Sequence, residues 1–155
     1  MTQSSSQQLP IEKNQSVWTV QCLLEHLEHS SGRWQTTEWR LTGFVLAPEQ
    51  AGLPYLAALQ LHKDERTDYR FNLSSQRPKL FLVLDTMESE EQPKLVMLTA
   101  SQSVAGQYMD GDYLVLSQDM PLPVQAWMEA YIGRHGELLE IRKKKRKGAG
   151  RSSGK

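Results

Sequence analysis

Apolar positions along this chain alternate more often than they follow a helical stripe. In "SVWTVQCLLEHLEH" Val17, Val20, Leu24 and Leu27 fit a helical repeat, but the β-branched Val17, Thr19 and Val20 at its start favour a strand. "HSSGRW" has turn chemistry around Gly32, and "TTEWRLTGFVL" follows with Trp39, Leu41 and Val45 on one parity, so the two segments read as a hairpin. Gly43 shares that parity, where a glycine marks a bulge or a close approach.

Beyond the loop "APEQAGLP", the runs "YLAALQLHK" and "DYRFNLS" place Leu59, Leu61, Tyr69, Phe71 and Leu73 on odd positions. Antiparallel pairing of 56–63 with 68–74 collects these five on one face. It sends Gln60, His62, Asp68, Arg70 and Asn72 to the other and leaves Asp64, Glu65 and Arg66 in the turn. The density of charge in "LHKDERTDYRFNLSS" then belongs to the solvent side of a surface hairpin.

"PKLFLVLD" and "PKLVMLT" are continuous apolar runs of strand length, expected at the centre of a sheet, with the acidic connection "TMESEEQ" between them. "SQSVAGQYMDG" reads as a short helix, with Ser101 or Ser103 as N-cap and Gly111 as a left-handed stop; "DYLVLSQ" returns as a strand. In "MPLPVQAWMEAYIGRHG", Val124, Trp127, Met128, Tyr131 and Ile132 form a helical stripe with Pro123 in the first turn and Gly133 and Gly136 at the end. The expected class is α+β: a mainly antiparallel sheet of about six to seven strands, with a short helix and a C-terminal amphipathic helix packed on it.

Length fits one domain, expected over residues 16–141 between an unstructured Ser/Gln-rich N-terminus, 1–15, and an unstructured basic tail, 142–155. The formal net charge of zero conceals a polarity: the tail holds eight Lys/Arg and no acid, leaving ten bases against eighteen acids, a net −8, in residues 1–141. No apolar run approaches membrane-spanning length and no secretory leader is visible; with a single cysteine, Cys22, the expected location is cytoplasmic.

Candidate chemistry is sparse. Cys22, His26 and His29 have ligand-type side chains, but on a strand Cys22 and His26 stand about 13 Å apart and His29 points to the opposite face, so no metal site is expected. His62 beside Asp64 or Asp68 lacks any marked nucleophile, and there is no dinucleotide fingerprint, P-loop or C-x-x-C. Neither a catalytic residue nor a cofactor is expected. Trp39 and Trp127 sit on apolar faces and read as core, whereas Trp34 beside the turn suits an exposed docking anchor. The candidate partner-binding set is Trp34, Arg40, His62, Arg66, Arg70 and the basic run Lys143, Lys144, Lys145, Arg146 and Lys147. The acidic body argues against specific nucleic-acid binding through that run.

Several segments together carry a resemblance: "RWQTTEWRLTGFVL", "LQLHKDERTDYRFNLSSQRPKLFLVL" and "LTASQSVAGQYMDGDYLVLSQDMPLPVQAWMEAYIGRHGE" with the closing basic run, over roughly residues 16–147. Its motifs are Trp39-Arg40, Tyr69-Arg70 with Asn72-Leu73 and Ser75, Thr99-Ala100-Ser101, and Met120-Pro121. The chain resembles a family of small bacterial proteins of unknown function encoded beside genes for molybdenum- or tungsten-dependent formate dehydrogenase. The resemblance implies a non-catalytic accessory protein acting in the assembly or operation of that enzyme by docking, with the dehydrogenase or its maturation machinery as partner. A protein or enzyme handling a pterin nucleotide is the alternative, although the glycine-rich phosphate loop and alternating α/β pattern of a nucleotidyltransferase are missing. An RNA-associated protein using the basic tail is the third reading.

Overall fold

The computed structural model describes residues 9–136. Its first element is the long strand β1, Val17–Ser31, which turns back at Gly32 into β2, Trp34–Val45. Ser31 pairs with Trp34 across a two-residue loop in which Gly32 has φ +63° and Arg33 does not enter positive φ, the pattern of a type II′ turn. Its twist matches that of the strands, so the expected hairpin forms, in a register that sets Leu24 opposite Leu41 and His26 opposite Trp39. Pairing shifts by one residue where Leu23 faces Gly43 and Leu24 faces Leu41, leaving Thr42 as the extra residue of a bulge.

β3, Leu56–Gln60, pairs antiparallel with Val17–Gln21 of β1, giving the sheet order β2-β1-β3. β1 is therefore shared lengthwise: its first third holds β3, and from Gln21 onward it holds β2. The free edge of the first third is closed by residues 12–14. Thr19 N–H donates to Glu12 O and Asn14 N–H to Val17 O, both at 2.8 Å, and the Asn14 carboxamide accepts from the N–H groups of Ser16 and Val17. Order in the N-terminal segment thus begins before residue 16.

A second antiparallel sheet, β5-β4-β6, is built from β4, Lys79–Asp85, β5, Lys94–Thr99, and β6, Tyr113–Asp119. Leu80, Leu82 and Leu84 are buried on one face of β4 and Phe81 and Val83 on the other, which accounts for the continuous apolar run of a central strand. β5, read as equally central, is instead an edge strand whose first four residues are only partly covered. β3 runs beside β5 and β2 beside β6 without ladder pairing, so six strands form two sheets that approach along both edges instead of one continuous sheet. Gln118 Nε2 donates to Leu41 O across one seam at 2.8 Å, and Tyr55 Oη donates to Pro93 O across the other at 2.7 Å.

The segment 61–75 overturns the hairpin expected there. β3 ends at Gln60, His62 opens a 3₁₀ turn at Lys63–Glu65, and Arg66–Leu73 is a helix, α1. Tyr69, Asn72 and Leu73 stand at i, i+3 and i+4, and the segment contains only one β-branched residue, Thr67, so a helix suits it locally. Tyr69 settles the matter by its packing: the ring is buried against Tyr131, and its hydroxyl accepts from His62 N–H and donates to Glu65. Leu59, Leu61 and Tyr69 do enter the core, but Phe71 is 74% exposed because a helix rotates it 200° from Tyr69.

Two further helices follow. α2, Gln102–Met109, is capped by Ser101, whose Oγ accepts from Val104 N–H at 3.1 Å; it stops at Asp110 in a right-handed conformation, so Gly111 is not the left-handed stop expected. α3, Leu122–His135, buries Val124, Met128, Tyr131 and Ile132 and ends at Gly136 with φ +86°, Gly133 lying within it. Trp127 is half-buried, meeting Trp18 edge to face at 5.5 Å and donating to Asn14 O. Val20, Leu59, Leu82, Met128 and Ile132 belong to one buried cluster filling the space between the sheets and α3.

Candidate docking surface

The described residues of the expected partner-binding set lie in two separate places. Trp34 and Arg40 are on β2, at and below the hairpin tip, while His62, Arg66 and Arg70 surround α1. Lys143, Lys144, Lys145, Arg146 and Lys147 lie outside the described residues.

Around α1 the cations are engaged within the chain. Arg66 donates through Nη1 to the carbonyls of His135 and Gly136, closing the C-terminus of α3, and through Nε to Lys63 O. Cations at a helix C-terminus satisfy its orphan carbonyls and oppose its dipole. Arg70 forms a two-pronged bond to Glu129 at 2.8 and 2.9 Å, and the guanidinium holds the Glu129 carboxyl below its usual range. His62 is exposed and borders a cleft of about 440 Å³ between β3 and β5, together with Gln60, Glu65, Thr99 and Val104. Asp68, a candidate orienter for it, accepts from Ser101 Oγ at 2.6 Å instead.

That last bond belongs to a network that joins most of the motif residues. Buried Asn72 donates from Nδ2 to Lys79 O and Ala100 O and accepts at Oδ1 from Lys79 N–H, tying α1 to the start of β4 and the end of β5. Ser75 Oγ donates to Asn72 O, and Ser101 N–H donates to Thr99 Oγ1. Met120 is buried with its N–H on Pro78 O, and Pro121 begins α3. These side chains staple elements, and their polar atoms are consumed in doing so. Sequence reading gave Asn72 to a solvent face because the strand parity placed it there; the i, i+3 relation to Tyr69 was the signal for the buried position.

Among the described residues the ligand-type side chains of β1 do not converge. Cys22 is buried, and desolvation pushes its thiol up to about 12, far from the thiolate a ligand or nucleophile needs. His26 and His29 fall on opposite faces of β1: His26 stacks on Trp39 at 4.1 Å, and His29 Nε2 meets Glu38 at 2.8 Å. Among the described residues no three His, Cys, Asp or Glu side chains are grouped to hold a metal ion.

The hairpin supplies the clearest surface. Past Gln21 the ladder is only two strands wide, and its outer part is exposed on both faces except where Trp39 leans on the β4–β5 loop, donating to Glu90 O at 2.8 Å. Trp39, expected in the core, is therefore half-buried under this loop. At the tip Trp34 is 76% exposed, on the face that also presents His29, Glu38 and Arg40. An aromatic of that size left in water at the end of a protruding arm, with charged side chains farther along the same face, has the anatomy of an interface anchor.

No helix of the described residues is long and apolar enough to cross a membrane. Comparison with curated proteins and with solved structures gives no match. A family model does match, over residues 20–147, from Val20 in the inner third of β1 through the last helix and into the basic run; the chain belongs to the family described as protein of unknown function (DUF3305).

Proposed function

We propose that this protein is a non-catalytic accessory factor of a formate dehydrogenase, acting in the enzyme's assembly or operation by docking. The observation that supports docking is the exposed Trp34 at the end of a two-stranded arm, with Arg40 and Glu38 on the same face. Support for the dehydrogenase as partner comes from the resemblance carried by the Trp39-Arg40, Asn72-Leu73 and Thr99-Ala100-Ser101 motifs. The basic run from residue 143 to 147 serves as an electrostatic tether that raises the association rate with an acidic surface.

The test is an affinity pull-down of the full chain from its native cell, followed by titration with the formate dehydrogenase catalytic subunit. Trp34→Ala should weaken binding roughly 30-fold, as loss of an aromatic hot spot does, while leaving the unfolding free energy within about 0.5 kcal/mol. Deleting residues 142–155 should slow association and flatten its salt dependence. Undiminished binding by Trp34→Ala removes the arm from the interface. Failure of the dehydrogenase to co-purify or bind overturns the partner.

A further inference from the structure

The outer part of β1 has an open edge. On the side where β3 pairs with Val17–Gln21, the last backbone bond is Cys22 N–H to Tyr55 O, and from Leu23 to Ser31 no described strand covers that side. Thr19 N–H points to the other edge, toward Glu12, so backbone groups of even-numbered residues face the β3 side and those of odd-numbered residues face β2. Leu24, His26, Glu28 and Ser30 therefore offer a row of donors and acceptors that no described residue pairs with on that side. Neither proline nor a bulge interrupts β1 there, and its neighbours on the ladder are regular from Leu24 to Ser31. Such an edge is a template for another strand.

We infer that this edge pairs with the same edge of a second copy of the chain, antiparallel about a twofold axis at Leu27. Three constraints select that register. Antiparallel partners must both present their backbone groups to each other, so only even residues can face even ones. Leu27 is the midpoint of the open stretch, so centring there matches its full length, nine residues or about 30 Å, and brings the tip of one hairpin to the point where β3 of the other begins. Charge complementarity agrees: about Leu27 the pairs are His26 with Glu28 and Glu25 with His29, each twice, and Leu27 meets itself. Sliding one step in one direction sets Glu28 against Glu28; one step in the other sets His26 against His26 and leaves both acids opposite leucines. Opposite charges or donor–acceptor pairs directly across a ladder stabilise it, and like charges destabilise it.

The groups already around these side chains are compatible with the pairing. His29 uses Nε2 on Glu38, itself 3.8 Å from Arg40, leaving Nδ1 for Glu25 of the second copy. His26 keeps its stack on Trp39, and it shares a cavity with Glu28, Ser89, Glu90 and Glu91, an acidic setting for an imidazole donor. Edge pairing adds no cover to either face of the arm, so Trp34 stays accessible and this inference stands apart from the proposed partner.

Sedimentation velocity of the full purified chain over a concentration series tests it without any other protein. A reversible dimer is expected. Glu28→Pro removes an N–H that points away from β2, so the monomer should keep its melting temperature while the dimer weakens at least tenfold. Glu28→Lys should do the same by facing His26, and adding His26→Glu should restore the dimer by reversing that pair. A chain monomeric at all concentrations, or a dimer indifferent to Glu28→Pro, overturns the inference; a dimer not restored by the double change overturns the register.

Discussion

The two ends of β1 are made of one continuous strand in two environments. At the inner end Trp18, Thr19 and Val20 are all buried, because β3 lies on one edge, residues 12–14 on the other, and core and α3 on the faces. At the outer end Glu25, His26, Glu28 and His29 are exposed, and the ladder is held by β2, the Gly32 turn and cross-strand pairs. The inner end is hydrogen-bonded along both edges and the outer end along β2 only, and burial differs in the same direction, so both should make the inner end the more stable. Roughly 25 cal/mol per Å² of apolar surface acts at one end and is nearly absent at the other.

The sharpest test of that contrast is at the inner end. Leu59→Ala, at a fully buried β3 position against Trp18, should lower the unfolding free energy by about 2–5 kcal/mol in denaturant titration, with an unchanged m-value. A loss below about 1 kcal/mol would show that burial does not distinguish the two ends.

A smaller effect concerns the helix that replaced the expected strand. Tyr69→Phe strands the His62 N–H and should cost about 1–3 kcal/mol, whereas Phe71→Ala, on the solvent side of α1, should stay within about 0.5 kcal/mol. The opposite ranking would restore the hairpin.

Gly32→Ala probes the outer end alone. Its new Cβ meets nothing within 4 Å, so the cost is the positive φ itself, about 1–2 kcal/mol. Hydrogen exchange should speed up roughly tenfold at arm amides such as Leu27 and Glu38, with little change in the core strands. Uniform acceleration through β4 would mean that the arm and the body open as one unit.

The smallest effect is electrostatic. Glu129 has its carboxyl lowered by Arg70, so the pair stabilises fully above the ordinary glutamate range and is lost as pH falls through the lowered value. Both groups are partly in water, which limits the gain to about 0.2–1 kcal/mol. Stability of Glu129→Gln and the parent, measured from pH 6 to pH 3, should differ at the upper end and converge in acid; a gap that widens in acid would reverse the sign.

Local signals were sufficient where chain neighbours meet. The turn chemistry at Gly32 announced β1–β2, Gly43 a bulge or close approach within it, Ser101 or Ser103 the start of α2, of which Ser101 is the cap, and the stripe from Val124 to Ile132 the last helix. They misled at 66–73, where odd-position parity and helical spacing describe the same Tyr69 and Leu73; they were silent on the Asn72 network, whose partners lie at Lys79 and Ala100.

What the sequence determined by itself was therefore the class of the fold, the β1–β2 hairpin, the central strand β4, the start of α2 and the Gly136 end of α3, because periodicity, turn chemistry and capping act within a few residues. Only the tertiary structure decided that residues 66–73 are a helix, that six strands divide into two sheets, and that Arg66 closes α3. Each of these depends on which distant surface a side chain meets. For a segment of eight residues the intrinsic preference is too weak to resist that contact, and a buried Tyr69 hydroxyl with two partners outweighs a strand parity written in the chain.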